Sequence, residues 1–595
     1  MGTTSDKPKL PSLTLNIDPI PLHASIRGFR FSHLGGDLSA AVNVALLAFP
    51  QGMAYALIAG IPLHYGIFGS AVAAVLGSLF ARSHYITLGP TNATSVLLLS
   101  AFAALQISDE QKLHLLPLIV FLSGLFLIIG ALARVTTLIQ YISKSVITGY
   151  ITAAAVLIIS NQFKNVVGIR FADGVEVSTF LQVFYHSIRA MPAVNWHSVL
   201  IASIAAICYV LLVSRVPRLP NVAIVLVIVS LATLALEPLG IRVDKLDAIR
   251  LDAWAFTPPV WDFHNIRMLV GTAMAIAILS LLEGTSIGKS LAARSGGKLD
   301  TDQEMFNMGV ANIGCSLFSG MPASGSLTRS MLNWKSGARS PLSSLYTGIL
   351  IVIAAYLLGP FVSYVPKPAL AVLVISIGIS LINRHQIFVV THSTGSDKLV
   401  FYITLVAGLS MPLDMAIVLG TGLSIYLFLK KAARPELVEY AFNEEGHLLR
   451  RHQEREVLEI SIVHVEGDLF FGSAELFRDQ IRRVFEEENL KILVLRMKNA
   501  YILDATCVLA LEELIQYMKE NQRYLLISGV RSKIYEVLER SGVIEALGSE
   551  NIFREDPENP TYSTAQAMRR AQQILGGREA NVTIYVNPET ARDEE

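Results

Sequence analysis

The chain has 595 residues, of which 52% are hydrophobic and only 16% are charged. Soluble globular domains carry about 25% charged residues, so this composition excludes an ordinary water-soluble enzyme. The 48 basic and 48 acidic residues give a net charge of zero, which argues against a nucleic-acid-binding protein.

Charge divides the chain into two parts. Residues 434–595 hold 20 of the basic and 30 of the acidic residues, a net charge of −10, so residues 1–433 carry +10. We therefore expect residues 36–432 to lie in lipid as a transmembrane domain. Residues 1–35 are polar and are interpreted as a cytoplasmic N-terminal segment.

The transmembrane domain begins with a block of long uncharged runs. A helix needs about 20 mostly apolar residues to span a bilayer. The uncharged runs of this block occupy residues 38–81, 83–108, 113–133, 145–163, 190–214 and 219–236. Because Pro62 divides the first run into two spans, we predict seven segments in a first repeat, at about 36–240.

A second block follows a stretch rich in charge and proline at 237–267. Its uncharged runs occupy residues 268–282, 305–328, 340–366, 368–383, 399–413 and 415–429. We interpret 305–328 as one span followed by the start of another, which gives seven segments in a second repeat, at about 262–432. An odd number of spans inverts the second repeat in the membrane, as is typical of secondary transporters.

The positions of Lys and Arg predict the orientation of these spans. With a cytoplasmic N-terminus, 18 of them lie inside and 9 outside, as the positive-inside rule requires. We expect an integral protein of the bacterial plasma membrane with both termini in the cytoplasm.

Two spans are interrupted at corresponding places in the two repeats. Residues 88–95 read LGPTNATS and residues 320–330 read GMPASGSLTRS. Proline fits the first turn of a helix, so both segments are predicted to start half-helices inside the membrane. Helix N-termini favour anions, and two of them facing a midplane cavity would bind a small anion. The alternative is a packed helix that Gly-Pro merely kinks.

Arg329 follows the second interruption and lies in a predicted span. A cation in the bilayer costs about 3 kcal/mol on insertion scales, so it requires a role. It could neutralise the substrate, or it could form a structural ion pair with Glu283 of the eighth span. If the two side chains meet, protonation of Glu283 would release Arg329 for a divalent anion and so couple transport to protons.

Beyond residue 455 the pattern changes to alternating strands and helices. The predicted elements are strand 457–462, helix 474–488, strand 491–497, helix 505–520, strand 523–528 and helix 532–540. They indicate a small α/β domain at 455–556, preceded by a linker at 433–454. Residues 557–595 are polar, and we expect a loosely ordered tail.

No motif indicates an enzyme. The three cysteines are far apart in sequence, which excludes a disulfide framework and does not favour a thiolate metal site. No nucleophile–histidine–acid arrangement stands out. We predict neither catalytic residues nor a metal or other cofactor.

Segments of both parts resemble the sulfate permease (SulP) family, which includes the animal anion exchangers pendrin and prestin. The matching segments of the membrane part are residues 50–56 (PQGMAYA), 89–95, 283–289 and 328–330. Those of the C-terminal part, which resemble the family's STAS domain, are residues 468–471, 502–506 and 550–553. The resemblance extends from about residue 30 to about residue 570.

This resemblance implies a polytopic α-helical fold of 14 segments, arranged as a 7+7 inverted repeat with core and gate domains and followed by a cytoplasmic STAS domain. The implied substrate-binding residues are Gln51, Tyr55, Thr91, Leu327, Thr328 and Arg329. Gln51 and Tyr55 would line the cavity, and Thr91 would offer its backbone amide. The resemblance also implies a homodimer and an elevator-like movement of the core against the gate.

Relatives in this family carry sulfate, bicarbonate, chloride, oxalate or dicarboxylates. Arg329 together with Glu283 resembles the proton-coupled sulfate carriers, so we predict sulfate uptake with a coupling proton. Sodium-coupled bicarbonate uptake and anion exchange are alternatives.

A hypothesis of another class is a membrane-bound regulatory or scaffold protein that acts through its STAS domain. Free-standing STAS regulators carry a phosphorylated serine where this chain has Ala505, which disfavours that hypothesis. The preceding residue, Asp504, is expected to cap a helix.

Overall fold

Two compact units follow one another in the computed structural model, residues Met1–Ser424 and Ile425–Glu595. The structure describes residues 17–18, 21, 31–105, 107–137, 143–169, 179–216, 220–249, 254–296, 299–432, 439–442, 448–450, 460–475, 477–478, 490–559, 562–576 and 582–585. Most of the predicted N-terminal segment therefore lies outside the described residues.

Eight α-helices and one very short strand form the described part of the first apolar block. In chain order they are α1 (Phe31–Ala59), α2 (Leu63–Phe80), β1 (Leu88–Gly89), α3 (Asn92–Leu105), α4 (Asp109–Leu132), α5 (Lys144–Val167), α6 (Phe180–Ala190), α7 (Trp196–Arg215) and α8 (Asn221–Leu236). The sequence analysis did not predict α6, a short helix that an N-terminal capping box at Thr179 begins.

The second apolar block repeats the same succession of elements. In chain order they are α9 (Phe263–Ser295), α10 (Thr301–Leu317), β2 (Ser324–Gly325), α11 (Leu327–Lys335), α12 (Leu342–Leu358), α13 (Lys367–Leu381), α14 (Arg384–Ser393), α15 (Gly395–Ser410) and α16 (Leu413–Ala432). In each block a two-residue strand lies between the second and third helices and precedes a short helix.

The described residues contain ten helical stretches that are long and apolar enough to cross a membrane. The half-helices α3 and α11 are shorter, with 14 and 9 residues, which fits helices that begin inside the membrane. Length and composition thus assign ten spans, and the count of fourteen segments stays a prediction.

The helices of these blocks pack in two groups. In the first group α1–α4 contact α9–α12, and in the second group α5–α8 contact α13–α15. The contacts come in matched pairs when helices that hold the same place in the two blocks are exchanged. The contact of α4 with α10 corresponds to that of α12 with α2, and the contact of α7 with α13 corresponds to that of α15 with α5. Where α4 meets α10, a Cβ added at Gly124 would come within 2.8 Å of the carbonyl oxygen of Gly309. Small residues thus allow these helices to approach closely.

A buried carboxylate connects the start of α1 to the segment before α12. Asp37 is fully buried, and its Oδ1 accepts hydrogen bonds from the backbone N–H groups of Arg339 at 2.6 Å and Ser340 at 3.1 Å. Its Oδ2 accepts the hydroxyl of Ser340 at 2.5 Å. Because helix N-termini favour negative charge, Asp37 supplies from α1 a cap that the residue before α12, Pro341, does not provide.

Replacing Asp37 with asparagine is expected to destabilise the membrane unit by about 1.5–3 kcal/mol, because charge-assisted hydrogen bonds are lost inside the protein. Asn43→Ala is the matched control, since Asn43 donates to Ser336 Oγ at 3.1 Å from the same helix but at an exposed position. The thermal unfolding midpoint of the purified protein should fall for the first variant and change little for the second. Equal midpoints would show that the carboxylate does not stabilise this junction.

The second unit contains a mixed α/β domain. In chain order its elements are β3 (Glu439–Phe442), β4 (Leu448–Arg450), β5 (Ile460–Glu466), β6 (Ile492–Asn499), α17 (Ala505–Glu520), β7 (Tyr524–Val530), α18 (Ser532–Arg540), α19 (Val543–Leu547), β8 (Ile552–Arg554), α20 (Tyr562–Ile574) and β9 (Val582–Tyr585). They form one sheet in the order β4-β3-β9-β5-β6-β7-β8, in which β9, β5, β6, β7 and β8 are parallel. Asp504 caps α17 by accepting the N–H of Cys507 at 3.0 Å, so its predicted role is confirmed.

Two stretches of this unit differ from the prediction. The proposed linker at 433–454 contains β3 and β4, and the tail predicted to be loosely ordered contains α20 and β9. Ala567 and Ala571 of α20 are fully buried against the sheet. Two alanines four residues apart form a narrow apolar stripe that the polar composition of the tail conceals. Most of the predicted helix 474–488 and the start of strand 457–462 lie outside the described residues.

Candidate functional site

The two interrupted spans meet inside the first helix group. β1 and β2 pair in antiparallel register, with Leu88 opposite Gly325, immediately before α3 and α11 begin. The hydroxyl of Thr94 in α3 donates to the carbonyl oxygen of Pro322 at 3.2 Å. The pairing therefore brings the starts of the two half-helices together.

A buried asparagine holds the segment that leads into β2. Asn312 of α10 is fully buried, and its Nδ2 donates to the carbonyl oxygen of Ala323 at 2.8 Å. Its Oδ1 accepts the N–H of Ala323 at 2.9 Å. Immediately before β1, the N–H of Thr87 donates to Ser330 Oγ of α11 at 3.0 Å. The sequence analysis missed Asn312, although an amide within an uncharged run is itself a signal of a buried polar contact. It included Ser330 in the segment 328–330 without assigning a role to it.

Arg329 lies beside the start of α3, and its side chain is buried, with 1% exposure. Its Nε donates to Gln51 Oε1 at 3.2 Å and its Nη2 donates to the carbonyl oxygen of Pro90 at 3.3 Å. Its Cζ lies 5.6 Å from the centroid of the Tyr55 ring, within range of a cation–π contact. Both hydrogen-bond acceptors are neutral, and an anion makes shorter and stronger bonds to a guanidinium. An anion at this place can therefore replace them.

Glu283 of α9 has a different partner from the one considered above. Its Oε2 accepts a hydrogen bond from the hydroxyl of Thr91 at 2.9 Å. Among the described residues no salt bridge joins Glu283 to Arg329, whose Nε and Nη2 donate instead to Gln51 and Pro90. Protonation of Glu283 thus does not release Arg329 by breaking a direct ion pair, contrary to that hypothesis.

The start of α3 is stabilised by a reciprocal pair of threonines. The N–H of Thr91 donates to Thr94 Oγ1 at 3.1 Å, and the N–H of Thr94 donates to Thr91 Oγ1 at 3.3 Å. The backbone amide of Thr91, which was expected to face the anion, is therefore already engaged. The amides of Asn92 and Ala93 belong to the first helical turn, where N–H groups have no partner within the helix.

The start of α11 is the open side of this region. Leu327 is 50% exposed and Thr328 is exposed, whereas Arg329 is buried. Ser326 caps the helix, since its Oγ accepts the N–H of Arg329 at 3.5 Å. The amides of Leu327 and Thr328 thus lie in the first turn next to exposed side chains. Together the two half-helices present backbone donors and one guanidinium, a combination that can bind a small oxyanion.

A cavity of about 320 Å³ lies outside the predicted anion site. It lies between the loop after α2 and the end of α9, and its lining includes Arg82, His84, Leu291 and Leu299. The predicted site residues do not line it.

Two family sequence profiles match most of the chain. The sequence profile of the sulfate permease family matches residues 34–404, and that of the STAS domain matches residues 453–558. The chain belongs to the sulfate permease family. The resemblance drawn from the motifs is thereby confirmed, and this sulfate permease family protein is an integral membrane anion transporter and not an enzyme.

Relatives of the permease match most of its length. It is 28% identical over 561 residues to the chloroplastic sulfate transporter 4.1 of Arabidopsis thaliana, covering 90% of this chain and 81% of that protein. It is 24% identical over 529 residues to the putative sulfate transporter YvdB of Bacillus subtilis, covering 89% and 97%.

A solved structure shares the fold of the permease. The murine Slc26a9 anion transporter in its inward-facing state is similar with a TM-score of 0.84 at 19% identity, covering 96% of each chain. This likeness confirms the predicted fold class, a polytopic helical membrane part followed by an α/β STAS domain.

Proposed function

We propose that the permease takes up sulfate by proton-coupled secondary active transport. The observation that carries this proposal is Arg329, a buried cation held by neutral acceptors beside the starts of two half-helices. A buried charge is costly unless it is paired, and no carboxylate in the described part of the chain forms a salt bridge with Arg329. A bound dianion would supply the missing charge, with Gln51 and Tyr55 beside it.

Sulfate suits the donors that surround this place. Its four oxygens can accept hydrogen bonds from Arg329 and from first-turn amides of both half-helices, those of Asn92 and Ala93 in α3 and of Leu327 and Thr328 in α11. The Arabidopsis thaliana and Bacillus subtilis relatives reported above are named as sulfate transporters. These two points support sulfate as the anion.

The division of the helices supports an elevator-like movement. The proposed site residues belong to α1, α9, α11 and the β1–α3 segment, elements of the first helix group, which we propose as the core. The second helix group is the proposed gate. The matched order of elements and the matched contacts of the two blocks support an inverted repeat, in which one bundle moves against another around the site. The core would carry the bound anion across the membrane without losing contacts to it.

Glu283 is the proposed proton carrier. Ionisable residues inside the membrane mark ion or proton pathways, and Glu283 contacts Thr91 at the start of α3. Protonation removes its negative charge, and the repulsion of a nearby dianion falls. Proton binding and sulfate binding therefore favour each other.

Exchange of Glu283 for glutamine is expected to abolish proton-driven accumulation of sulfate in proteoliposomes. Sulfate exchange at equal pH on both sides should persist, because the neutral amide preserves the shape of the side chain and its hydrogen bonding to Thr91. Arg294→Gln changes an exposed charge at the end of the same helix and should behave as wild type. Accumulation that still follows the pH gradient in Glu283→Gln would exclude Glu283 as the proton carrier.

Labelled anion fluxes in proteoliposomes test the proposed function as a whole. Sulfate uptake driven by an inward proton gradient supports it, whereas bicarbonate uptake driven by sodium, or obligatory exchange, would favour the alternatives. A protein that moves no anion under any gradient would instead favour a regulatory or scaffold role of the STAS domain. We further propose a homodimer in a bacterial plasma membrane, with both termini in the cytoplasm.

A further inference from the structure

We infer that the hydroxyl group of Thr91 is the switch through which protonation of Glu283 raises the affinity for the anion. The inference rests on the proposed proton-coupled function. It replaces the direct ion pair between Glu283 and Arg329, which the structure does not form, with a contact that it does form.

The hydrogen bonds of Thr91 leave little freedom to its side chain. Thr91 is 7% exposed, and its hydroxyl donates to Glu283 Oε2 at 2.9 Å. The same Oγ1 accepts the N–H of Thr94 at 3.3 Å. A hydroxyl has one hydrogen to donate and two lone pairs to accept with. While Glu283 is ionised, the single hydrogen of Thr91 is therefore held by the carboxylate and is not available to an anion.

Protonation of Glu283 reverses the direction of this hydrogen bond. A hydronium ion in the water on the side to which the site is open transfers a proton to a carboxylate oxygen, which forms the neutral carboxylic acid and leaves a water molecule behind. The acid then donates its O–H to Thr91 Oγ1, so both lone pairs of that oxygen are occupied, one by Glu283 and one by Thr94. The hydrogen of Thr91 is released from the carboxyl group and can turn to Thr94 Oγ1, 3.2 Å away, or to an anion at the start of α3. A charged anion is the stronger acceptor of the two.

Glu283 is the group whose charge changes with pH at this place, because the side chains of the elements packed against it keep their charge. The ring of Tyr55 of α1 lies 5.6 Å from the Cζ of Arg329 of α11, and the hydroxyl of Ser324 of β2 donates to the carbonyl oxygen of Ser280 at 3.0 Å. α3 has no ionisable residue, and the ionisable or histidine side chains of α4 and the charged residues of α10 stand in their first two turns. Arginine remains protonated in proteins, so Arg329 keeps its charge in both states.

The test compares sulfate affinity with and without the Thr91 hydroxyl at two pH values, one on each side of the wild-type pH transition in affinity. Equilibrium binding of labelled sulfate to the purified full-length protein gives Kd for the wild type and for Thr91→Val. At acidic pH Thr91→Val should bind about tenfold more weakly than the wild type, because one hydrogen bond to a charged ligand is lost. At alkaline pH the two should bind equally, because the wild-type hydroxyl is then held by Glu283.

Further variants distinguish a Thr91 hydroxyl that binds the anion only when Glu283 is protonated from one that binds it at every pH. Thr91→Ser keeps the hydroxyl and should retain the wild-type pH response, whereas Thr91→Ala removes it and should repeat the Thr91→Val result if valine impairs folding. With Glu283→Gln as background, the amide can donate to Thr91 at every pH, so removal of the hydroxyl should cost about tenfold at both pH values.

Three results would overturn the inference. If Thr91→Val weakens binding equally at both pH values, the hydroxyl is a constant ligand, and if it weakens binding at neither, the hydroxyl plays no part. A wild-type affinity that does not depend on pH would also contradict the switch. If the wild type binds no sulfate, the proposed substrate is wrong. The ratio of the Kd of Thr91→Val to that of the wild type at the two pH values, measured with the anion that does bind, then tests the switch separately.

Discussion

Arg329→Ala is expected to weaken sulfate binding by at least about a hundredfold while leaving the permease folded. Each hydrogen bond to a charged group contributes about 1.5–3 kcal/mol, and the guanidinium offers at least two to the proposed anion. The neutral acceptors Gln51 and Pro90 would lose their partner, but the desolvation cost of a buried cation would disappear with it. Scintillation-based binding of labelled sulfate to the purified protein, together with its thermal unfolding midpoint, separates loss of the site from loss of the fold.

Two further variants control the Arg329 result. Lys335→Ala removes a positive charge from the exposed end of the same helix and should leave sulfate affinity unchanged. Arg329→Lys keeps the charge but lacks the planar fork of donors, so intermediate affinity is expected. Wild-type affinity in Arg329→Ala would remove this side chain from the anion site.

Gly89→Ala is expected to reduce sulfate affinity about tenfold or more without any change of charge. A Cβ at Gly89 would collide with Nη1 of Arg329 and would lie 3.1 Å from its Cζ. The guanidinium is the flexible end of a long side chain, so it would move away and lose its hydrogen bond to the carbonyl oxygen of Pro90. We therefore expect the fold to survive and the geometry of the anion site to be lost, at a cost of about 1.5–3 kcal/mol per hydrogen bond that is no longer made.

Gly271→Ala is the matched control for this substitution. Gly271 lies in α9, and a Cβ there would meet no atom within 4 Å. Sulfate binding and thermal stability of this variant should equal those of the wild type. Unchanged sulfate affinity in Gly89→Ala would mean that Arg329 binds no anion from its observed position.

Much of the membrane unit could be predicted from the sequence because its signals are local. Long uncharged runs marked most of the helices. Gly-Pro followed by small hydroxyl residues located the breaks in the two spans, but α3 begins two residues after Pro90 and α11 five residues after Pro322, so neither proline lies in the first turn as predicted. In the STAS domain, α17 and α18 begin and end at the predicted residues, 505–520 and 532–540. Apolar periodicity and helix caps are properties of neighbouring residues, so an isolated chain segment already displays them.

The contacts that could not be predicted join residues far apart in the chain. Glu283 accepts from Thr91, 192 positions away, and Asp37 caps a helix more than 300 positions later. No local pattern shows which hydroxyl or amide a buried carboxylate will meet. The ion pair between Glu283 and Arg329, which the sequence left open as an alternative, has this origin, since opposite charges were paired without knowledge of the competing neutral acceptors.

The position of a bound oxyanion would show directly whether the starts of α3 and α11 and the guanidinium of Arg329 form the anion site. Selenate has the shape and charge of sulfate, and its selenium atom scatters X-rays anomalously. In crystals of the permease soaked with selenate, the anomalous difference map should show one peak between the starts of α3 and α11, within hydrogen-bonding reach of the guanidinium of Arg329. A peak elsewhere in the molecule, with none at these helix starts, would show that the two half-helices and Arg329 do not form the anion site.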